Sequence, residues 1–172
     1  MKTIIIGNSG SGKTWLSRLL ATPDVEIIHL DELFWMPGGF DVKRGSEEVN
    51  MLIARSKEHA KWIAEGVFGE LAKQYLADTR SVIWLDLPWD ICRSRLIQRG
   101  SESKRHHDRN QSEEGLRKLL EWASHYYDRA DLRSLSGHLS IFNSFQGDKV
   151  RLQSVDEIDQ YIRLVKSGNQ RC

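Results

Sequence analysis

The stretch GNSGSGKT, residues 7–14, constrains the fold of this chain more than any other feature. It follows an apolar run that reads as a buried strand, and a helical pattern begins directly after it. A turn between a strand and a helix requires one glycine at most, whereas this one contains Gly7, Gly10 and Gly12, followed by Lys13 and Thr14. The spacing is that of a phosphate-binding P-loop. The structural alternative is a glycine-rich turn with a chance lysine.

The residue types in this loop match the chemistry of phosphate binding. Glycines let backbone N–H groups surround an anion, and a helix that begins at Gly12 or Lys13 directs its positive end toward the same anion. Lys13 is predicted to reach the β- and γ-phosphates, and the Thr14 hydroxyl to ligate Mg²⁺. The cofactors predicted are ATP and Mg²⁺. The predicted nucleotide-binding residues of the loop are Gly7, Asn8, Ser9, Gly10, Ser11, Gly12, Lys13 and Thr14.

Composition sets the broader class of the protein. The chain has 172 residues, which predicts a single domain spanning residues 1–172. Its formal net charge of +1 argues against direct nucleic-acid binding, and no apolar run is long enough for a membrane span. The two cysteines, Cys92 and Cys172, form no disulfide or metal pattern, so a cytoplasmic location is predicted.

Apolar runs alternate with helical patterns along the chain. Five runs are predicted as strands, at Lys2–Ile6, Val25–Leu30, Trp62–Ala64, Val82–Leu87 and Lys149–Leu152. Helices are predicted at Trp15–Ala21, around residues 49–60, at residues 116–130, and from the capping box Ser154-x-x-Glu157 onward. This pattern predicts a three-layer α/β P-loop NTPase fold, with a five-stranded parallel sheet and helices on both faces. Ligands bind at the carboxyl ends of such strands.

Two acidic residues are predicted at those strand ends. Asp31 follows the second strand, where it would coordinate Mg²⁺ or accept a proton from an acceptor hydroxyl. Glu65 follows the third strand and is predicted to bind Mg²⁺ or its waters. For each acid the structural alternative is a helix N-cap. The predicted metal-binding set is therefore Thr14, Asp31 and Glu65.

Two segments beyond the strands are predicted to act on substrates. Phe34, Trp35, Met36 and Phe40 flank a Pro-Gly-Gly turn and would either line an acceptor pocket or cover the core. They belong to an acceptor-side insert predicted at about residues 31–60. Residues 93–109 contain six Lys or Arg and two acids, a local charge of +4, which predicts a small basic lid at about 100–112. A solvated surface loop is the alternative. His106 and His107 there are not predicted to bind metal, because no cysteine is near them.

Together these motifs resemble those of the adenylate-kinase-like group of small P-loop kinases over nearly the whole chain. GNSGSGKT, IIHLDELFW and AEGVF most resemble segments of topology-modulation proteins of the FlaR type, and LDLPWDICRSRLIQRG is similar to the group's lid-entry segment. The resemblance implies that Arg95 stacks on adenine and that Arg99 binds nucleotide phosphates. It also implies that Arg105 or Arg109 returns from the lid to the phosphates. The predicted catalytic residues are Lys13, Asp31, Arg95 and Arg99.

The chain departs from this group on the acceptor side. The group clamps the AMP phosphate with two arginines, and those positions here hold Phe34 and Gly69, for which Arg44 or Arg55 would have to substitute. Asp31 and the aromatic segment after it also resemble shikimate- or gluconate-type kinases, although the paired acids of those enzymes are missing. The predicted acceptor is a small hydroxyl compound with a flat or apolar face rather than AMP.

Two functions therefore follow from the sequence. The first is an ATP-dependent phosphotransferase acting on a small molecule. The second is a nucleotide-responsive binding module or slow ATPase that acts on a protein or DNA partner. The several arginines of the predicted lid favour the phosphotransferase, because a binding module needs no cover that excludes water. The sequence leaves the oligomeric state open.

Overall fold

A computed structural model describes residues 1–37, 42–100 and 109–169 of the protein. Its five strands are β1 (Lys2–Gly7), β2 (Glu26–His29), β3 (Trp62–Gly66), β4 (Ser81–Leu85) and β5 (Asp148–Leu152). They form one parallel sheet in the order β2-β3-β1-β4-β5. The carboxyl ends of all five strands therefore meet at one edge, and β1, which leads into the P-loop, is the central strand.

Eight α-helices surround this sheet in the described part of the chain. They are α1 (Lys13–Leu20), α2 (Leu30–Phe34), α3 (Ser46–Lys57), α4 (Gly69–Tyr75), α5 (Trp89–Arg99), α6 (Arg109–Ser124), α7 (Leu135–Ser144) and α8 (Val155–Asn169). Short 3₁₀ turns follow α4 at Leu76–Asp78 and α6 at His125–Tyr127. No described helix is both long and apolar enough to cross a bilayer.

The sheet is apolar on both faces because helices cover both. In β1, Ile4 and Ile6 lie on one face and Ile5 on the other, and all three are fully buried. Helices α2, α3, α4 and α7 contribute to the core on the face of Ile4. Helices α1, α5 and α8 contribute to the core on the face of Ile5. This is the three-layer α/β P-loop NTPase fold that the alternation of strands and helices predicts.

The structure differs from the sequence prediction in four helical segments. Helices α2, α4 and α7 were not predicted: α2 and α4 have five and seven residues, too few to show a helical period, and α7 contains glycine and serines, which are weak helix formers. The helix predicted for residues 116–130 ends at Ser124. It ends there because the chain tightens into the 3₁₀ turn, from which the Tyr127 hydroxyl donates to the Leu87 carbonyl at 2.7 Å.

Parts of two predicted segments lie outside the described residues. Of the predicted lid, residues 101–108, including His106, His107 and Arg105, are not described, and residues 109–112 form the start of α6. Phe40 and the two glycines before it also lie outside the description. The predicted acceptor-side insert at about 31–60 contains α2 and α3.

Candidate active site

The loop between β1 and α1 lies tightly against its neighbours. Gly10 has φ +81°, a conformation that L side chains rarely adopt, and a Cβ there would lie 2.3 Å from the Cys92 carbonyl oxygen. A Cβ on Gly7 would lie 2.4 Å from the Leu85 carbonyl oxygen. Both positions require glycine, because the loop backbone packs directly on α5 and on the end of β4.

The start of α1 presents uncapped backbone donors to the centre of this loop. Gly12 is the N-cap residue, no described side chain caps the helix, and its first turn contains no acid. The buried Ser11 Oγ also has no partner among the described residues. Unpaired donors at the positive end of a helix favour an anion. These observations show that the residues present fit a bound phosphate.

Lys13 and Asn8 organise the loop from within. Lys13 is 8% exposed, and its Nζ donates to the Asn8 carbonyl at 2.9 Å. The Asn8 side chain accepts a hydrogen bond from the Ser9 N–H at 2.8 Å and donates to the Ala123 carbonyl at 2.9 Å. The ammonium group is therefore held inside the loop, and the loop is fastened to the C-terminal end of α6.

Glu65 is the buried carboxylate next to this loop. It lies within β3, in register with His29 of β2, and is 3% exposed. Its Oε1 accepts a hydrogen bond from Thr14 Oγ1 at 2.7 Å and lies 2.7 Å from His29 Nδ1. Three side chains from α1, β2 and β3 thus converge at the carboxyl edge of the sheet.

Opposing effects set the ionisation of this group. Burial by itself raises the pKa of Glu65, but the hydrogen bond from His29, the charge of Lys13 and the hydrogen bond from Thr14 together lower that pKa below its ordinary value. The hydrogen bond to Glu65 raises the pKa of His29 against the opposing effect of burial. Each partner therefore favours the charged form of the other.

The pair Thr14 and Glu65 fits a magnesium ion. Mg²⁺ keeps several waters and is bound in proteins through one or two carboxylates together with substrate phosphates. A hydroxyl and an ionised carboxylate beside the phosphate loop supply such ligands. The described residues contain no group of three or more His, Cys, Asp or Glu that would form an all-protein cage.

Asp31 occupies a different place from the one predicted for it. Strand β2 ends at His29, and Asp31 is the second residue of α2, where its carbonyl accepts a hydrogen bond from the Trp35 N–H at 3.0 Å. The N-cap residue of α2 is His29, so the alternative of Asp31 as the N-cap is wrong. Asp31 remains a candidate base or metal ligand from the first turn of this helix.

The two predicted arginines of α5 are placed differently. Arg95 is half-buried and its Nη1 donates to the Ser11 carbonyl of the loop at 2.9 Å. Arg99 is exposed in the last turn of the helix. Beside Arg95 lies an open groove of about 390 Å³, lined by Asp90, Ile91, Ser94, Arg95, Gln98 and Val155. The groove adjoins the phosphate loop through the Arg95–Ser11 contact.

The aromatic segment after β2 lies partly in the core and partly at the surface. Phe34 is 5% exposed and belongs to the core, whereas Met36 is 38% exposed. Phe34 stacks on Phe68, with ring centroids 4.4 Å apart, and Trp35 meets Phe34 edge-on. Arg44 donates to the carbonyls of Glu32, Leu33 and Trp35 and pairs with Glu48. These contacts hold the Arg44 guanidinium at the end of α2.

His29 is the site residue that the sequence analysis missed. The second strand was predicted to continue to Leu30, which made His29 an ordinary strand residue. The signal that would have found it is the parallel register, which places His29 beside Glu65 once β2 and β3 are neighbours.

Comparisons with known proteins agree with this architecture. Neither a family model nor a curated protein matches the chain. A shikimate kinase from Acinetobacter baumannii, solved in complex with shikimate, is similar in structure, with 17% identity and a TM-score of 0.48 over 98% of this chain and 94% of its own. TT1252 from Thermus thermophilus has 13% identity and a TM-score of 0.51 over 96% of both chains. The likeness to TT1252 is one of fold.

Proposed function

We propose that this chain is an ATP- and Mg²⁺-dependent phosphotransferase that acts on a small molecule bearing a hydroxyl group. The observation that carries the proposal is the convergence of the anion-fitting loop at α1 with the buried pair Thr14 and Glu65. Phosphoryl transfer depends mainly on positioning and on stabilisation of charge. Both are supplied here by backbone donors, a lysine and a carboxylate at one sheet edge.

The nucleotide half of the site is proposed to extend from the loop into the groove beside α5. Arg95 is held against Ser11 and lines that groove with Ile91 and Val155, so its planar guanidinium and two apolar side chains suit a flat base. Lys13 would neutralise the phosphates, and Arg99 would approach them from the end of α5. Mg²⁺, when bound, supplies charge neutralisation at the phosphate oxygens, and Thr14 and Glu65 are the residues that would hold it.

The acceptor half is proposed to lie over α2 and the residues after β3. The acceptor hydroxyl attacks the γ-phosphorus, the bond to the bridging oxygen of ADP breaks, and the hydroxyl proton passes to a carboxylate. Asp31, in the first turn of α2, is the candidate for that base or for a ligand of the metal waters. The proposal also includes a basic lid at about residues 100–112. It further includes a relation of this chain to topology-modulation proteins of the FlaR type.

Replacement of Lys13 tests the nucleotide half. Mg-ATP at about 100 times its Kd should stabilise the wild-type protein by roughly 2.7 kcal/mol. Lys13→Ala should abolish that stabilisation without unfolding the protein, because the ammonium group donates its hydrogen bond to a carbonyl of the loop itself rather than to another element. Thermal shift with and without Mg-ATP measures this, and Lys166→Ala, an exposed lysine on α8, is the matched control.

Turnover then separates the two functions. ADP release from ATP should require one member of a panel of sugars, sugar acids, nucleosides and nucleoside monophosphates. An absence of stabilisation of the wild-type protein by millimolar Mg-ATP contradicts the nucleotide site itself. Stabilisation without turnover on any hydroxyl compound would instead favour the nucleotide-responsive binding module.

A further inference from the structure

The loop before α7 occupies the space where a phosphate-clamping side chain would lie. Gly69 holds one of the two clamp positions implied by the resemblance to adenylate-kinase-like enzymes. A Cβ on Gly69 would lie 2.0 Å from the Leu132 carbonyl oxygen and 2.9 Å from Ile141 Cδ1. No side chain fits there, because residues 131–133 pass directly over the start of α4. The packing of that loop therefore excludes a clamp residue at this position.

The same loop brings a guanidinium group to the acceptor side of the sheet. The Arg133 guanidinium carbon lies 4.4 Å from the ring centroid of Phe34 and 4.4 Å from that of Phe68. Phe34 holds the second clamp position, at the end of α2, and Phe68 directly precedes Gly69. Arg133, from the loop before α7, thus lies beside both positions for which the resemblance implies arginines.

Part of this guanidinium is engaged by a neighbouring carboxylate. Arg133 Nε donates to Glu70 Oε1 at 2.7 Å, and Nη2 donates to the same oxygen. Nη1 donates to no atom within residues 1–37, 42–100 and 109–169, and the Arg133 side chain is 26% exposed. A guanidinium has five N–H donors. Three of them, two on Nη1 and one on Nη2, remain on the side away from Glu70.

Those three donors have the form that oxyanions require. Paired N–H groups of arginine bind carboxylate or phosphate through two parallel hydrogen bonds. The two phenyl rings hold the guanidinium plane in place and limit its hydration, which strengthens a charge-assisted bond. A purely structural ion pair with Glu70 would use the same side of Arg133 and leave the other side without a role.

We propose that Arg133, supported by Phe34, Phe68 and Glu70, is an oxyanion-binding subsite for the phosphate acceptor. The acceptor would then carry a carboxylate or phosphate group in addition to the reacting hydroxyl, next to a flat or apolar portion that faces the two rings. The inference rests on the proposed function in one respect, namely that the bound molecule is the phosphate acceptor. The subsite itself is independent of ATP.

Three small aromatic probes test the subsite without nucleotide. Benzoate and phenyl phosphate present the two kinds of oxyanion on a flat ring, and benzyl alcohol is the neutral probe of similar shape. Titration calorimetry or ligand-observed NMR on the full chain should give at least one anion a roughly millimolar Kd, at least about tenfold below that of benzyl alcohol. The better anion identifies the acceptor group as a carboxylate or a phosphate.

Two variants assign the preference to Arg133. The double variant Arg133→Met, Glu70→Gln leaves no unpaired charge and should reduce the anion preference to within about twofold. Arg133→Lys keeps the ion pair with Glu70, and with it the fold, but lacks the planar fork, so its preference should also fall. The matched control is Arg151→Met with Asp86→Asn, since Arg151 lies 4.3 Å from the Trp84 ring and pairs with Asp86.

Each outcome bears on the subsite alone. Equal binding of benzyl alcohol and both anions, or no anion binding in the millimolar range, overturns the proposal. So does an anion preference that survives in both Arg133 variants. A wild-type protein that prefers the anions but is not stabilised by Mg-ATP would keep this subsite and reject the proposed phosphotransferase.

Discussion

At the scale of single residues, the pair His29 and Glu65 makes stability depend on pH. The pKa of His29 is raised above 6.5 in the fold, so its stabilising contribution is complete below pH 6.5 and is lost as the pH rises through the folded pKa. The pKa of Glu65 is lowered below 4.5, so its contribution is present above pH 4.5 and is lost as the pH falls through the folded pKa. The pair therefore stabilises the fold most between pH 4.5 and 6.5.

Replacement of His29 should reveal this window. The difference in free energy of unfolding between wild type and His29→Gln is expected to be largest near pH 5–6 and to shrink toward pH 9, because the imidazolium is lost in the wild type. Urea denaturation at a series of pH values measures the difference. His59→Gln, at an exposed histidine after α3, serves as the control. A difference that grows with rising pH would mean that His29 is neutral beside Glu65.

Prediction from sequence reached furthest for features that are local in the chain. The segment from Gly7 to Thr14 was predicted as the turn between the first strand and the first helix, because its glycine spacing alone specifies such a turn. His29 and Arg133 could not, since their roles arise from neighbours 36 and 63 residues away along the chain, Glu65 and Glu70. The place predicted for Asp31 requires β2 to continue to Leu30, whereas β2 ends at His29 and the chain turns into α2 at Leu30.

At the scale of elements, the start of α8 depends on one hydroxyl. Ser154 Oγ accepts a hydrogen bond from the Glu157 N–H at 3.2 Å, and Glu157 Oε2 accepts one from the Gln153 N–H at 2.7 Å. Ser154→Ala should lower the free energy of unfolding by about 1 kcal/mol, because the first turn of the helix loses its side-chain acceptor. Equilibrium denaturation in urea measures this loss.

A second serine on the same helix provides the control. Ser167 Oγ donates to the Leu164 carbonyl at 3.0 Å within α8, a bond that adds little to helix stability. Ser167→Ala should therefore change the free energy of unfolding by less than about 0.5 kcal/mol. Equal losses in the two variants would show that α8 begins without help from Ser154.

Elements with a strong signal of their own were predicted, and those fixed by tertiary contacts were not. Helix α8 has a capping box and a clear apolar stripe, and its start was predicted at the observed position. Helix α7 begins after Ser134, a fully buried N-cap whose hydroxyl accepts from the Gly137 N–H at 3.2 Å. That cap is buried by tertiary packing, which periodicity along the sequence does not report.

At the scale of the whole molecule, one buried polar chain joins four segments. The Trp84 N–H of β4 donates to the Tyr126 hydroxyl at 3.2 Å, and that hydroxyl lies 2.8 Å from His138 Nδ1 of α7. His138 Nε2 donates to the Val67 carbonyl at 3.0 Å. Burial lowers the pKa of His138 to about 3, so the imidazole is neutral and its Nδ1 accepts from Tyr126.

Removal of the central hydroxyl should weaken the whole fold. Tyr126→Phe leaves Trp84 Nε1 and His138 Nδ1 buried without partners, which is expected to cost about 1–3 kcal/mol of unfolding free energy. Calorimetry or urea denaturation measures the loss. Tyr161→Phe on α8, whose ring packs at the edge of the other core, is the control and should cost about 0.5 kcal/mol or less. An unchanged free energy of unfolding in Tyr126→Phe would show that water replaces the hydroxyl.

The position of β1 in the sheet has a consequence for biosynthesis. This strand is the first in the chain and the central one in the sheet. Its Ile4 pairs with Ala64 of β3 on one side and with Val82 of β4 on the other, and both partners come later in the chain. At ribosomal speeds of about 5–20 residues per second, the roughly 60 residues before β3 take several seconds to be made. Throughout that time the three isoleucines of β1 are translated but have no neighbouring strand to pair with. The loop between β1 and α1 can therefore take its final form only after β3 and β4 have been made.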